Sequence, residues 1–237
     1  MSPRALVLGL ALAVAGCATT QADPRDPLES VNRAVFAFND GVDEIVFQPA
    51  ARLYRTVTPR VLRDAVRNVF NNIDDLSIGA NNLLQGKPVA AVGDWTRFAV
   101  NTTLGLLGVI DWASDMGLEK HNEDFGQTLG RWGVGDGMYL VLPLLGPSTL
   151  RDTAALPIDW AGDPVLQHTP VDERNALTAV RLVSRRADLL EASRTLKEAA
   201  LDRYVFLREA TLQRRRSLVY DGRPPRERPP VEEGEAR

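Results

Sequence analysis

The stretch that decides the fold is residues 58–73, TPRVLRDAVRNVFNNI. Its apolar residues recur every three or four positions: Val61, Leu62, Ala65, Val66, Val69, Phe70 and Ile73. Arginine and asparagine side chains lie on the opposite face. This spacing predicts an amphipathic helix with a broad apolar band. Thr58 and Pro59 stand where a capping residue and a first-turn proline start a helix.

Helical patterns continue on both sides of this stretch. Upstream, Asp26-Pro27-Leu28-Glu29 predicts a cap and a helix start, and the apolar stripe that follows is expected to end at Pro49. Downstream, the pattern predicts a further segment from Asp75 to Gln85 and a helix that begins at Pro88 and runs toward Thr103. The chain is therefore expected to be mainly α-helical.

The last third of the chain is less regular. Residues 152–170 contain Pro157, Pro164 and Pro170, and we expect them to be irregular. Two helices are predicted after them, near residues 171–190 and near residues 194–218. The basic run at residues 214–216 is expected at a solvated helix end, where cations are favoured by the helix dipole. Contact with lipid phosphates or with an acidic partner is the alternative.

Glycine is concentrated between Gly126 and Gly146. Glycine at this density breaks helices and permits positive φ angles. Tyr139 to Leu142 are expected to form a short strand or an extended segment. The fold class is therefore predicted as mainly α, with a glycine-rich loop or short hairpin and no substantial sheet.

The N-terminus has the features of a secretory signal. Arg4 precedes an apolar stretch from Ala5 to Ala15, which is too short to cross a bilayer permanently. Val14-Ala15-Gly16-Cys17 resembles a bacterial lipobox, which implies cleavage before Cys17 and acylation of that residue. A chance cysteine at an ordinary cleavage site is the alternative. No later segment is predicted to span a membrane.

These features divide the chain into four parts. Residues 1–16 are expected to be a lipoprotein signal peptide, and residues 17–25 a lipidated tether. Residues 26–220 are expected to form the helical domain. Residues 221–237 are rich in proline and charge without an apolar face, and they are predicted to be a disordered tail.

The composition argues against several functional classes. The 237 residues are 44% hydrophobic and 25% charged with a net charge of -3, so no basic excess indicates a nucleic acid partner. The two histidines, His121 and His168, accompany no Gly-x-Ser-x-Gly or metal-binding pattern. We therefore expect no catalytic residue, metal or cofactor, although a serine and a histidine brought together only in space remain an alternative.

Six ordered motifs extend from residue 26 to residue 152. They are Asp26-Pro27-Leu28-Glu29-x-x-Asn32-Arg33, Phe36-x-Phe38-Asn39, Arg97-Phe98-x-x-Asn101-Thr102-x-Leu104-Gly105, Glu123-Asp124-Phe125-Gly126-Gln127-Thr128-Leu129-Gly130, Gly133-Val134-Gly135-x-Gly137-x-Tyr139 and Leu142-Pro143-x-x-Gly146-Pro147-Ser148-x-x-Arg151-Asp152. This set resembles the MlaA (VacJ) family of outer-membrane lipoproteins.

The resemblance implies a ring-shaped helical protein in the periplasmic leaflet of the outer membrane of a Gram-negative bacterium. It implies a non-enzymatic channel that removes misplaced phospholipids from the outer leaflet and passes them to a periplasmic lipid carrier. A trimeric porin is the implied neighbour, and lipid asymmetry is the outcome. The alternatives are a structural lipoprotein that braces a porin and a lipid hydrolase.

The family resemblance also suggests which residues line or gate the channel. The glycine-rich segment from Gly126 to Gly146 is expected to form the lining or gating loop. The candidate channel residues are Asn39, Asn101, Gly133, Gly135, Gly137, Tyr139, Arg151 and Asp152. A purely structural role is the alternative for each of them.

Overall fold

The structure is a computed structural model in which residues 23–225 are described. This part contains ten α-helices, a π-helical segment and two strands. In chain order they are α1 (Glu29–Val42), the π segment (Asp43–Phe47), α2 (Gln48–Val57), α3 (Arg60–Leu84), α4 (Pro88–Thr103), α5 (Trp112–Asp115), α6 (Phe125–Arg131), β1 (Tyr139–Leu142), β2 (Gly146–Thr149), α7 (Leu150–Gly162), α8 (Val171–Asp188), α9 (Leu190–Ala199) and α10 (Arg203–Val219). The prediction of a mainly α fold is confirmed. The predicted signal peptide, Cys17, most of the tether and most of the tail lie outside the described residues.

The first helical run is longer than the sequence predicted. Pro49 does not end it, because α1 continues through the π segment into α2. The backbone N–H of Gln48 donates to Asp43 O, five residues earlier, and Pro49 then falls in the first turn of α2, where proline is tolerated. The predicted cap is also wrong, since Leu28 occupies the N-cap position of α1 and the Asp26 side chain is buried elsewhere.

The amphipathic stretch and the segment after it form a single helix, α3, of 25 residues. Pro59 occupies its N-cap position without a side-chain cap, and Thr58 ends α2. The predicted helix from Pro88 is confirmed as α4, and the two helices pack against each other along much of their length. Gly79 makes room for the indole of Trp95, which donates a 3.3 Å hydrogen bond to Leu76 O.

Two segments that we expected to be irregular contain helices. Gly126 and Gly130 lie inside α6, whose first turn is capped by the Asp124 carboxylate. Much of the proline-containing stretch forms α7, which begins at a Thr149 cap and contains Pro157. The two helices pack against each other, so capping and tertiary packing outweigh the local cost of glycine and proline.

The C-terminal part also differs from the prediction. The helix expected near residues 194–218 is divided into α9 and α10, and Asp202 caps α10 by accepting from the Tyr204 and Val205 N–H groups. The described beginning of the predicted tail, residues 221–225, is held to α10. Gly222 N–H donates to Ser217 O at 2.8 Å, and the Arg216 guanidinium donates to Pro225 O at 2.7 Å.

The predicted short hairpin is present as the antiparallel pair β1 and β2. Tyr139 lies opposite Thr149, and Leu142 lies opposite Gly146. Tyr139 and Val141 pack with Tyr204 of α10 in a small apolar core that α1 also contacts. The hairpin is therefore clamped between the first and last helices of the described fold.

Candidate functional site

The interior of this protein is unusually polar. Among the eight largest side chains that are almost completely buried, Tyr139 is joined by seven amides, hydroxyls and carboxylates: Gln127, Asn82, Thr128, Thr149, Asp26, Asp75 and Asp94. Interiors of globular domains are normally dominated by apolar residues, with polar groups as exceptions. This distribution therefore requires a dense internal hydrogen-bond network.

The exterior is correspondingly apolar. Ile45 and Val61 are each 77% exposed, and Val89 is 86% exposed. All four tryptophans, which are enriched at membrane–water interfaces, are also exposed. No helix within residues 23–225 is long and apolar enough to cross a membrane. Where such side chains form a contiguous patch, they are typical of a surface that contacts lipid or another protein.

The polar interior between α3, α4 and α6 is held together by side-chain hydrogen bonds. The Asp94 carboxylate accepts from Asn82 Nδ2 at 2.7 Å and contacts His121 Nδ1 at 2.9 Å. Thr128 Oγ1 donates to Asn81 Oδ1 at 2.8 Å. Because buried polar groups are costly unless they are paired, these bonds fix the helices relative to one another.

A cleft of about 1030 Å³ lies between α3, α7, α8 and the turn of the hairpin. The side formed by α3 and α8 is mostly polar: Asp74, Ser77, Asn175, Thr178, Arg181 and Arg185 line it beside Ile78 and Leu182. The α7 side and the hairpin turn contribute the apolar residues Leu145, Leu156, Pro157 and Trp160. The cleft can therefore accommodate an amphipathic molecule, with its polar and apolar parts facing different walls.

The polar wall is held by ion pairs. Arg181 bridges Asp74 and Asp163, and its Nη1 lies 2.5 Å from Asp163 Oδ2. Arg185 Nη2 lies 2.8 Å from Asp74 Oδ2. Asp159 is different, because its Oδ1 accepts from the Phe125 N–H at 2.8 Å and no cation pairs with it within residues 23–225. Burial raises the pKa of Asp159 to about 6.

A buried arginine supports the base of α7. Arg215 of α10 binds the Asp124 carboxylate with both terminal nitrogens, and its Nε lies 2.7 Å from Asp152 Oδ2. Burial alone would raise the pKa of Asp124, but the hydrogen bonds and charge of Arg215 hold it below its usual value. Arg215 is mostly buried, so the expectation of a solvated helix end is wrong for this residue.

Two of the predicted channel residues meet at the hairpin, one from α1 and one from β1. Asn39 of α1 holds the turn, since its Nδ2 donates to Leu142 O at 2.9 Å and its Oδ1 accepts from Leu144 N–H at 2.7 Å. Tyr139 is fully buried at the start of β1. Sequence reasoning missed Asn32, two helical turns before Asn39, which binds Tyr139 O and the Val141 N–H in the same way. The seven-residue spacing of the two asparagines was the available signal.

Four other predicted residues meet at a second cleft of about 980 Å³: Gly133, Gly135, Gly137 and Arg151. Gly133 and Gly137 have positive φ angles of 95° and 68°. The buried Arg151 guanidinium lies 2.5 Å from Asp136 Oδ1 and donates through Nε to Asp152 Oδ1 at 2.9 Å. Asp152 joins this group to Arg215.

Asn101 lies in another part of the molecule. Its Nδ2 donates to Asp111 Oδ1 at 2.8 Å, and its Oδ1 accepts from the Ala113 N–H at 2.9 Å. These bonds shape the exposed apolar loop after α4, in which Leu106 and Leu107 adopt positive φ angles. The structure therefore does not bring Asn101 together with the other candidates.

The hydrogen-bond partners of the two histidines do not support the hydrolase alternative. His121 contacts Asp94, and His168 Nε2 lies 2.9 Å from Glu173 Oε2. A nucleophilic mechanism requires a serine or another nucleophile beside the imidazole, and the hydrogen bonds described for both rings go to carboxylates. No cluster of three potential metal ligands is present within residues 23–225.

Comparison with known proteins identifies the family. Residues 24–218 match the family described as MlaA lipoprotein. The chain belongs to this family. The resemblance inferred from the sequence motifs is thereby confirmed.

MlaA relatives cover most of the chain. The intermembrane phospholipid transport system lipoprotein MlaA of Shigella flexneri is 35% identical over 225 residues, which cover 92% of this chain and 88% of the relative. The protein with the same name in Escherichia coli K12 is 34% identical over 227 residues with the same coverage. An uncharacterised protein of Rickettsia bellii is 35% identical over 195 residues, or 82% of this chain and 76% of the relative.

A solved structure also matches this fold. It comes from work on the structural basis for maintenance of bacterial outer membrane lipid asymmetry. The TM-score is 0.71 at 33% identity, and the match covers 82% of this chain and 98% of that chain. The mainly helical architecture is therefore shared with a solved relative.

Proposed function

We propose that this lipoprotein removes misplaced phospholipids from the outer leaflet of a Gram-negative outer membrane without chemical reaction, and so maintains lipid asymmetry. The observation that carries the proposal is the inverted distribution of polarity, with amides and carboxylates inside and large apolar side chains outside. A protein embedded in one leaflet needs an apolar exterior. Its polar groups must then be satisfied internally, since hydrocarbon offers no hydrogen-bond partners.

The cleft between α3, α7 and α8 is the proposed phospholipid channel. Moving a headgroup through hydrocarbon is costly because its charged groups lose water. The ion-paired wall formed by Asp74, Arg181 and Arg185 offers that headgroup a polar surface, while Leu156 and Trp160 offer the acyl chains an apolar one. The protein therefore has to provide only a route for the lipid and no chemical step.

The proposal also includes a lipid anchor at Cys17 and two protein partners. Acylated Cys17 delivers the protein to the periplasmic leaflet of the outer membrane and orients it there. A soluble periplasmic carrier receives the lipid, and a trimeric porin is the membrane neighbour. The names of the Shigella and Escherichia relatives, which place them in an intermembrane phospholipid transport system, support a route that continues beyond this membrane.

A deletion strain tests this function. Phospholipid in the outer leaflet should increase on deletion, and the wild-type gene should reverse the increase. Asn175→Trp should fail to do so, since Asn175 is exposed and lines the cleft, where an indole would obstruct it. The matched control is Asn71→Trp, at an exposed α3 position outside the described clefts, and it should rescue fully.

The same experiment separates the alternatives. A lipoprotein that only braces a porin predicts unchanged asymmetry after deletion, and that result would reject the transport function. A hydrolase predicts release of product from labelled phospholipid by the purified protein. Cys17→Ser should mislocalise the protein and lose function for that reason, so its distribution between membranes must be measured in parallel.

A further inference from the structure

Two charged side chains in the 1030 Å³ cleft form no ion pair within the described residues. The other charged residues that line it are paired within the protein: Asp74, Asp163, Arg181 and Arg185 with one another, Glu123 with Lys87, and Asp124 with Arg215. Asp159 and Arg174 form no ion pair with any residue in the range 23–225. One anion and one cation are thus left for a ligand.

Asp159 presents its carboxylate from the apolar wall. The Phe125 N–H occupies Oδ1, and Oδ2 accepts no hydrogen bond from the described part of the chain. The residue also borders a smaller hollow of about 440 Å³, so it lies between two cavities. Because burial has raised its pKa, the ionised carboxylate is poorly solvated, and a cation brought into the cleft would stabilise it.

Arg174 provides the complementary charge from the first turn of α8. Arg174 is half-buried, and its guanidinium makes no hydrogen bond or ion pair among residues 23–225. Of the two acidic residues that precede it in the chain, Glu173 pairs with His168, and Asp172 forms no ion pair within the described residues. A guanidinium with free N–H groups is well suited to bind the oxygens of a phosphate.

We infer that the cleft selects zwitterionic phospholipids with an ethanolamine headgroup, with Asp159 binding the ammonium and Arg174 the phosphate. This inference rests on the proposed function and adds the substrate class and the residues that recognise it. An anionic headgroup would satisfy Arg174 but leave Asp159 facing an uncharged group or another anion. The apolar side chains of Leu145, Leu156 and Trp160 favour an intact lipid over a free headgroup ester.

Binding of acyl-labelled phosphatidylethanolamine and phosphatidylglycerol to the purified full-length protein tests the inference. We expect the wild type to prefer phosphatidylethanolamine by about tenfold, the contribution of one charge-assisted hydrogen bond. Asp159→Asn should abolish this preference while keeping an acceptor for the Phe125 N–H. Arg174→Gln should weaken binding of both lipids by about tenfold, because both carry the phosphate.

Matched controls remove the same charges outside the cleft. Asp172→Asn changes an exposed aspartate of α8, and Arg131→Gln changes an exposed arginine of α6. Neither residue lines a described cavity. Both variants should keep the wild-type affinity and the wild-type ratio between the two lipids.

The results distinguish a failure of the headgroup inference from a failure of the proposed transport function on which it rests. Equal binding of both lipids by the wild type, or full preference in Asp159→Asn, would overturn the headgroup inference and leave lipid transport intact. Failure of the wild type to bind either lipid would count against both. Soluble O-phosphoethanolamine should compete poorly, and competition as strong as that of the lipid would show a site for the free headgroup and overturn the inference.

Discussion

Replacing Asp159 with asparagine should stabilise the protein at neutral pH. Burial raises the pKa of this carboxyl from 3.8 to about 6, so ionisation is harder in the folded state than in the unfolded chain. A shift of about two units corresponds to about 3 kcal/mol. Since the Asp159 side chain keeps contact with solvent, screening reduces the expected stabilisation to about 1 kcal/mol. Asparagine removes this cost and retains the bond to the Phe125 N–H.

The direction of the pKa shift determines how the stability gained by Asp159→Asn depends on pH. Because the folded-state pKa of Asp159 is raised, its destabilising effect is fully present above pH 6 and disappears as the pH falls from 6 toward 3.8. The advantage of Asp159→Asn should therefore be greatest at pH 7 to 8 and vanish near pH 4. Carboxyls that do not interact with Asp159 contribute equally to both proteins and cancel in the difference. Asp124 and Asp152 also raise the pKa of Asp159 and Arg215 lowers it, so these three groups modify the size of the difference but leave its sign unchanged.

Thermal unfolding followed by circular dichroism in detergent measures this difference. At pH 7.5 the variant should have a Tm higher by about 2–4 °C, and at pH 4 the two proteins should unfold together. Asp172→Asn, at an exposed position, should show neither effect. A constant difference between wild type and Asp159→Asn across the pH range would refute the reasoning, as would a less stable variant at pH 7.5.

Three further substitutions, two of them with a matched control, test the packing around the clefts and the hairpin. Arg215→Gln should destabilise the fold by about 3 kcal/mol in denaturant unfolding, because Asp124 loses its cation and Asp152 keeps only Arg151. Arg214→Gln, which breaks no ion pair in residues 23–225, should be nearly neutral. Gly137→Ala should destabilise the fold by about 1–3 kcal/mol, since φ is 68° and the new Cβ would lie 2.9 Å from a side-chain atom of α7. Gly135→Ala is the control and should be tolerated, because a Cβ at that position has no atom within 4 Å. Asn39→Ala should cost about 1–3 kcal/mol and speed hydrogen exchange in the hairpin turn.

Helical periodicity predicted the elements whose apolar residues recur locally. The stretch from Thr58 to Ile73 indicated α3, and Pro88 marked the start of α4. The hairpin strand at Tyr139 was also predicted, because glycines and a proline bound a short apolar run. In each case the signal lies within a few residues of the element that it predicts.

The errors arose where a distant residue decides the structure. Pro157 predicted an irregular segment, yet the Thr149 cap and packing against α6 hold α7 together. Arg215 looked like a solvated cation, but residues 91 and 63 positions earlier supply its two carboxylates. Such pairs have no periodic signature, so one sequence alone cannot reveal them. The proposed lipid cleft depends on α7 and was missed for the same reason.

Asp159 connects the stability of the protein with its proposed function. Six of the eight charged residues that line the cleft are neutralised by internal partners, so folding alone explains their presence. Folding does not explain Asp159, because its ionised form is predicted to destabilise the native state and asparagine would satisfy the same backbone N–H. A residue that costs stability is typical of a site under functional constraint. If Asp159→Asn is both more stable and unable to distinguish ethanolamine from glycerol headgroups, one carboxylate accounts for both results. If it is more stable and equally selective, the charge serves neither folding nor headgroup recognition.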